Sequence, residues 1–172
     1  SACLVLLLVG AAVSCRGPAD GPVAFGRRAV DEALAARNLE TRVSIEATGT
    51  GLPESYEIAF TDGRADVRGA DANGALYGAL ELAERVKRLG ADALRGAPVT
   101  GKPFLRDRGW NLFLTLPWNY AANDTDYDPT ALTDPERWWF ANDDYWRTLL
   151  DEMALARLNW LDIHGAWDIS VT

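Results

Sequence analysis

The sequence predicts an α/β protein, in which a small α+β domain with helices on one face of its sheet precedes a β-α-β unit. Two observations predict this class. Segments with alternating apolar residues lie between segments whose apolar residues recur at helical spacing. All seven tryptophans follow residue 103, so the composition changes there. We therefore expect a leader and spacer over 1–22, a first domain over 23–101 and a second domain over 102–172.

Composition narrows the function classes. The chain has 172 residues, 48% of them hydrophobic, which is enough for one domain and part of another. Its formal net charge of -8 lacks the basic footprint of a nucleic-acid binder, so we expect no nucleic-acid partner. The phosphate-binding and dinucleotide-binding glycine patterns are absent, so we also expect no cofactor.

The first residues are typical of an export signal. The apolar run 2–13 is too short to span a bilayer, but it suits the hydrophobic region of a secretory signal. "AAVSC" resembles a bacterial lipobox, in which the cysteine is lipidated, although Ala12 stands where leucine is usual. We expect a protein of the cell envelope, either lipid-anchored to the membrane through Cys15 or periplasmic. The alternative is an ordinary cleaved signal with an incidental cysteine.

Two helices and three strands are predicted in the first domain. Helical spacing of apolar residues predicts a helix over 25–38. Alternation predicts a strand at Val43–Ala47, and a hairpin over 55–69 that turns at "TDG". A second helix over 71–90 has an N-cap at its first residue, a glycine at its end and an apolar stripe of Leu76, Leu80, Ala83 and Val86. The proline- and glycine-rich segment 91–103 is interpreted as a linker.

The second domain begins with an apolar strand, "RGWNLFLTL" at 108–116. An irregular segment over 117–141 follows. A helix is predicted over 142–159, with Asn142 as its cap and acidic residues in its first turn, where they favour the helix dipole. "NWLDI" then forms a strand with His164, the single histidine of the chain, at its carboxyl end. A helix that connects two strands in this way implies parallel strands.

Part of the first domain resembles a known module. "RADVRGADANGALYGALELAERV" is similar to the end of the small domain that precedes the barrel in family 20 glycoside hydrolases, the β-hexosaminidases, and in α-glucuronidases. The recurring pattern is G-x-x-Y-G at the start of a helix, here Gly74, Tyr77 and Gly78. The module carries no catalysis, so this resemblance indicates architecture rather than substrate.

Two further stretches resemble the start of the hexosaminidase barrel. The pair Arg108-Gly109 matches the first strand, whose arginine reaches sugar hydroxyls in the family. "RLNWLDIHGAWD" is similar to "K-L-N-x-x-H-x-H-x-x-D-D", with His164 and Asp168 at the second histidine and second aspartate. Asp162 and Trp167 depart from the pattern, and "LTLPWNY" stands where Ser-Arg-His is usual, which indicates a relative of the hexosaminidases.

The resemblance implies a (β/α)8 barrel and a glycoside hydrolase that cleaves O-glycosidic bonds of oligosaccharides or polysaccharides, hexosaminidase-like. The alternatives are an α-glucuronidase-like hydrolase and a lipid-anchored glycan-binding protein without catalysis. A complete barrel takes about 250 residues. The catalytic glutamate of the family lies on a later strand, so we expect the catalytic residues beyond residue 172 and the 172-residue chain to be an inactive fragment.

Candidate substrate-binding residues follow from position. In a barrel, functional residues lie at the carboxyl ends of strands. His164, Asp168 and the aromatic-rich segment 117–141 occupy that end, and aromatic rings such as Trp118 can stack on sugars. A structural role remains open for His164, and a salt bridge to Asp107 or Asp144 remains open for Arg108. We expect no metal, because Asp162, His164 and Asp168 lack a further nitrogen ligand.

Overall fold

The computed structural model describes residues 21–61, 63–114 and 142–165. Its contacts divide the chain into two compact units, residues 1–102 and 103–172. The candidate residues Cys15, Trp118 and Asp168 lie outside the described residues. Within the described parts, no helix is long and apolar enough to cross a membrane.

The first unit is a mixed sheet with two helices. Its elements are α1 (Pro22–Ala36), β1 (Arg42–Ala47), β2 (Tyr56–Thr61), β3 (Arg64–Gly69), α2 (Ala72–Leu89) and β4 (Val99–Gly101). Among the described residues the strand order is β1-β3-β2-β4. Strand β3 lies inside the sheet, because it pairs in parallel with β1 and antiparallel with β2, where Ile58 faces Val67. Both predicted helices and the predicted hairpin are confirmed.

The prediction of a linker over 91–103 is wrong. A 3-10 helix spans Gly90–Leu94 and buries Ala93, and β4 then pairs with β2. Strand β4 is only three residues long, too short to show alternation, and glycine and proline flank it in the sequence. The local glycine and proline residues therefore predict a linker, whereas pairing with a distant strand makes this segment part of the sheet.

Both helices cover the same face of this sheet, as predicted. The largest fully buried side chains come from β2, β3 and both helices, so the core lies between the sheet and the helix pair. They are Ile58, Leu82, Val30, Val67 and Val86. The predicted stripe of α2 is buried throughout. Burial of each of these valine, leucine and isoleucine side chains stabilises the fold by about 1.5–3 kcal/mol.

The other face of the sheet is polar. Ser44 on β1 donates a hydrogen bond to Asp66 on β3, and Arg64 pairs with the same carboxylate at 2.6 Å. The hydrogen bond from Ser44 is the largest cause, and that from Arg64 the next, of an Asp66 pKa below its usual value. The Asp66 carboxylate is thus bound across strands by Ser44 and along β3 by Arg64.

The G-x-x-Y-G pattern has a steric explanation. A Cβ on Gly74 would overlap the carbonyl oxygen of Ser55, and one on Gly78 would lie 2.7 Å from Val67 Cγ1. Both glycines therefore let α2 sit directly against the strands. The Tyr77 hydroxyl lies 3.3 Å from Glu54 Oε1, a buried carboxylate to which it donates a hydrogen bond. The motif is thus the seam between α2 and the sheet.

The second unit is a β-α-β unit, formed by β5 (Gly109–Leu114), α3 (Asp143–Leu155) and β6 (Trp160–Gly165). Strands β5 and β6 are parallel, as predicted. Asn142 caps α3, because its side chain accepts hydrogen bonds from two backbone amides, and acidic residues occupy the first turn.

Helix α3 ends earlier than the sequence predicts. It stops at Leu155, and Arg157 takes a left-handed backbone conformation with φ of +59°. The amides of Arg157 and Leu158 donate to the carbonyls of Ala154 and Met153, the pattern of a Schellman motif. On this helix Leu149 and Met153 are buried, whereas Leu150 is 52% exposed.

Candidate functional site

The carboxyl ends of β5 and β6 lie at one edge of the parallel pair. His164 is the fifth residue of β6 and is the register partner of Phe113 on β5. The backbone therefore places His164 where the sequence predicts it, next to the end of a parallel strand. The other candidates of this edge, Trp118 and Asp168, lie outside the described residues, so their roles remain predictions.

Arg108 lies at the opposite end of the strand pair, directly before β5. Its Nε donates a hydrogen bond to the carbonyl of Arg157 at 3.0 Å, and its Nη1 donates to the carbonyl of Leu105 at 2.5 Å. The guanidinium thus joins the segment before β5 to the segment before β6. These contacts give Arg108 a structural role, and its contact with a sugar remains a prediction.

Asn159 completes this junction from the other strand. Its Oδ1 accepts a hydrogen bond from the Arg108 amide at 2.9 Å, and its Nδ2 donates to the Arg106 carbonyl at 2.7 Å. The Asn159 amide in turn donates to the Arg108 carbonyl at 2.8 Å. Both residues belong to the stretches that resemble the hexosaminidase barrel, but the resemblance does not predict this contact. Their 51-residue separation leaves no local signal of this contact.

Asp107 is bound by its neighbour Arg106. The Arg106 guanidinium donates hydrogen bonds to both carboxylate oxygens, at 2.9 to 3.2 Å. Those hydrogen bonds are the largest cause of a pKa for Asp107 below its usual value. Both side chains are largely exposed, so the pair adds little to stability.

A polar pair in the middle of β5 and β6 was not singled out from the sequence as a site. Asn111 and Asp162 are register partners, and Asn111 Nδ2 donates a hydrogen bond to Asp162 Oδ2 at 3.0 Å. Asn111 is exposed and Asp162 is partly exposed. The predicted parallel pairing puts both residues on neighbouring strands, but no signal in the sequence gives the register that makes them partners.

The described residues contain no cluster of three or more histidine, cysteine, aspartate or glutamate side chains that could hold a metal ion. The conceivable metal set of Asp162, His164 and Asp168 falls partly outside the described residues. For Asp162 the structure shows a different partner, the Asn111 amide.

A surface cleft of about 740 Å³ lies on the first unit, beside the ends of β1, β2 and β3. Its lining combines hydroxyl groups with cationic side chains and one carboxylate, that of Glu57. Glycoside hydrolysis needs two carboxyl groups, or one together with a nucleophile on the substrate. The lining of this cleft therefore gives no catalytic pair.

Comparison with known proteins supports the fold. No protein-family model and no curated protein matches the chain. Eight chains of solved structures match. A GH138 enzyme targeting pectin rhamnogalacturonan II is similar with a TM-score of 0.62 and 24% identity, over 83% of this chain and 17% of that chain. A GH115 4-O-methyl-α-glucuronidase with specificity for decorated arabinogalactans has a TM-score of 0.48 and 15% identity, over 86% of this chain and 24% of that chain.

The likeness to the GH138 enzyme confirms the mixed α/β fold. This chain spans only a small part of the solved chains that it matches, 17% in the case of the GH138 enzyme. Neither enzyme named here belongs to family 20, so the resemblance to hexosaminidases in particular gains no support.

Proposed function

We propose that this chain is part of a glycoside hydrolase that acts on glycans. The likeness in fold to the GH138 enzyme carries the proposal, because it extends over 83% of the chain. The family resemblance of the two barrel-like stretches is independent support. A fold hosts many functions, so the proposal depends on a test of activity.

The β5-α3-β6 unit is proposed to open a (β/α)8 barrel. Two features support this: the strands are parallel, and a capped helix connects them. In such a barrel the carboxyl ends of the strands carry the substrate site. His164 then lies at the mouth of the barrel, together with Trp118 and Asp168, and the substrate is an oligosaccharide or polysaccharide. Hexosaminidase-like or α-glucuronidase-like specificity is the finer form of this proposal.

The test measures sugar release by the protein that carries this chain. The substrates are rhamnogalacturonan II, a decorated arabinogalactan and an aryl N-acetylhexosaminide, and released sugars are separated by ion chromatography. We expect release from at least one of them, and none from the 172-residue chain by itself. Binding to a glycan without any release would favour the non-catalytic binding protein. The absence of both release and binding would overturn the proposal.

His164 provides a sharper test of the site. A hydrogen bond to a sugar hydroxyl that strengthens in the transition state contributes about 1–3 kcal/mol, so His164→Ala should lower kcat/KM roughly ten- to a hundredfold. The melting temperature should change little. A structural histidine predicts the reverse pattern, a lower melting temperature with unchanged turnover per folded molecule, and that result would remove His164 from the site.

The proposed export and lipid anchor need a separate test, because Cys15 lies outside the described residues. Cys15→Ala should release the protein from the membrane fraction and abolish the acyl mass on the amino-terminal peptide. Retention of the variant in the membrane, with no acyl mass on the unaltered protein, would leave an ordinary cleaved signal as the explanation of the segment.

A further inference from the structure

A cleft opens on the first unit at the end of the sheet where the β2-β3 hairpin turns. Its volume is about 580 Å³, within the range of ligand-binding clefts. It lies between the hairpin, the segment that connects α1 to β1, and the 3-10 helix with the residues that follow it. The side chains that matter for binding are Leu39, Glu40, Phe60, Thr61, Leu94 and Arg95.

The inner surface of the cleft is apolar, and its outer surface carries charge. Leu39, Phe60 and Leu94 are half-buried and pack against the core. Glu40 and Arg95 are exposed, and neither forms an ion pair within the part of the chain that the structure describes. A carboxylate offers hydrogen-bond acceptors and a guanidinium offers donors, so both kinds of group are available to a ligand.

The cleft continues into a second depression of about 640 Å³ beside α1. The two depressions share residues 39–41 and Gly63, and together they form one groove. The second depression adds one acidic side chain, Asp31, and one basic side chain, Arg42. An elongated groove of two connected depressions suits consecutive residues of a glycan better than a single small molecule.

The charged side chains that the structure describes in this groove balance one another. Asp31 and Glu40 are acidic, whereas Arg42 and Arg95 are basic. A polyanionic glycan needs a surplus of cations, and the whole chain has a formal net charge of -8. The groove therefore suits a neutral glycan, whose hydroxyl groups can both donate to a carboxylate and accept from a guanidinium.

The groove is formed by the sheet and helices of the first unit alone. It lies at Thr61, the last residue of β2. The chain leaves the sheet for the second unit at the other end of β2, because Gly101 is the register partner of Tyr56. At a rise of about 3.4 Å per residue, the two ends of this strand are about 17 Å apart.

We propose that this groove is a second glycan-binding site, which holds a neutral stretch of a polysaccharide while another part of the polymer is hydrolysed. The inference rests on the proposed function and assigns a role in substrate binding to the first unit. Hydroxyl groups of the glycan bind Glu40 and Arg95, and the apolar side of a pyranose ring packs against Phe60 and its apolar neighbours. Binding at a second point of one polymer raises the overall affinity for long substrates and leaves that for short ones unchanged.

The experiment uses the whole protein that carries this chain. Glu40→Ala and Arg95→Ala remove the two charged groups of the groove. Glu32→Ala and Arg88→Ala are the matched controls, because both residues are exposed on helices of the same unit. Affinity electrophoresis measures binding to the neutral polysaccharides galactan, arabinan and mannan and to the acidic polygalacturonan, and turnover is measured on an aryl glycoside of the sugar that the protein releases.

We expect each groove variant to bind the neutral polysaccharides about tenfold more weakly than its control, because a hydrogen bond to a charged group is lost. Turnover of the aryl glycoside and the melting temperature should stay unchanged. A purely structural role of Glu40 or Arg95 would instead lower the melting temperature and leave the affinity per folded molecule as it is.

The outcomes separate this proposal from the proposed function. Polysaccharide binding or hydrolysis by the protein, with the groove variants equal to their controls, would overturn the groove and leave the proposed function standing. Binding of polygalacturonan that exceeds neutral binding and is lost in Arg95→Ala would overturn the assigned glycan class. A matching loss of turnover on the aryl glycoside would overturn the separation from the site of hydrolysis, and a protein that neither binds nor hydrolyses any glycan would overturn both proposals.

Discussion

Both units are formed from strands and helices, but they bury their apolar side chains to different extents. In the first unit two helices pack on a sheet and leave its largest core side chains without exposure. In the second unit β5 and β6 leave Trp110 38% and Trp160 49% exposed. A four-stranded sheet with two helices can close a core, whereas two parallel strands with one helix bury fewer apolar groups among the described residues. The difference indicates that apolar residues close a core only where enough strands and helices pack around them.

The largest expected effect separates the units by truncation. A protein of residues 22–102 should unfold cooperatively in a thermal melt, because its core is formed from its own elements. A protein of residues 103–172 should show no cooperative transition, because its strands leave apolar side chains exposed. Circular dichroism melts of both proteins provide the measurement. A cooperative melt for the second together with none for the first would reverse the comparison.

The seam between α2 and the sheet should be the most sensitive point of the first unit. Gly74→Ala places a Cβ against the Ser55 carbonyl, which is backbone and cannot move aside alone, so we expect a loss of about 3 kcal/mol. Denaturant unfolding measures the loss. Arg88→Ala, at an exposed position of the same helix, should stay within about 0.5 kcal/mol. Equal stability of the two variants would show that α2 can shift away from the strands.

A smaller effect compares the ends of two helices. After α1 the left-handed position is occupied by Asn38, and after α3 it is occupied by Arg157. Asparagine tolerates that conformation better than arginine. Arg157→Gly should therefore raise the unfolding free energy of the second unit by up to about 1 kcal/mol, measured by denaturant unfolding of the whole protein that carries this chain. Asn38→Gly should change the unfolding free energy of the first unit by less. A lower unfolding free energy in Arg157→Gly would mean that contacts of the arginine side chain stabilise the fold by more than its left-handed backbone conformation destabilises it.

The smallest effect concerns pH. The pKa of Asp66 is lowered in the folded protein by Ser44 and Arg64. Its ionised form therefore adds stability above the unfolded pKa of about 4, and this is lost as pH falls through the lower folded pKa. Asp66→Asn should flatten the decline in stability between neutral and acidic pH. Melting temperatures at pH 7 and near pH 3 test this, and an unchanged slope would contradict it.

Local pattern predicted much of the fold. Alternation and the turn "TDG" predict the β2-β3 hairpin, and an apolar stripe with caps predicts α2, because each signal lies within about twenty residues. Strand β4 escaped prediction since its pairing with β2 depends on residues about 40 positions apart. Parallel pairing of β1 with β3 likewise has no local signal.

The site was predicted less completely than the fold. His164 lies near the end of a parallel strand, as the strand-helix-strand order predicts. Arg108 received a ligand role from a family match, but its hydrogen bonds with Asn159 and Arg157 depend on the two strand entries meeting in space. Asn111 and Asp162 likewise become a pair only when the register is known. Residue type indicates which hydrogen bonds a side chain can form, and strand register decides which side chains are close enough to form them.

The central position of β3 has a consequence for the order of folding. One edge of β3 pairs with β2, which precedes it by a short turn, so this pairing closes only a short loop. The other edge pairs with β1, which precedes the hairpin in the chain, so this pairing closes a longer loop. Short loops close at lower entropic cost than long ones. We therefore expect a transition state in which the hairpin and α2 are partly formed and β1 is not. Truncation of Ile58 or Val67 should slow folding, with high Φ-values, and truncation of Val43 should mainly speed unfolding.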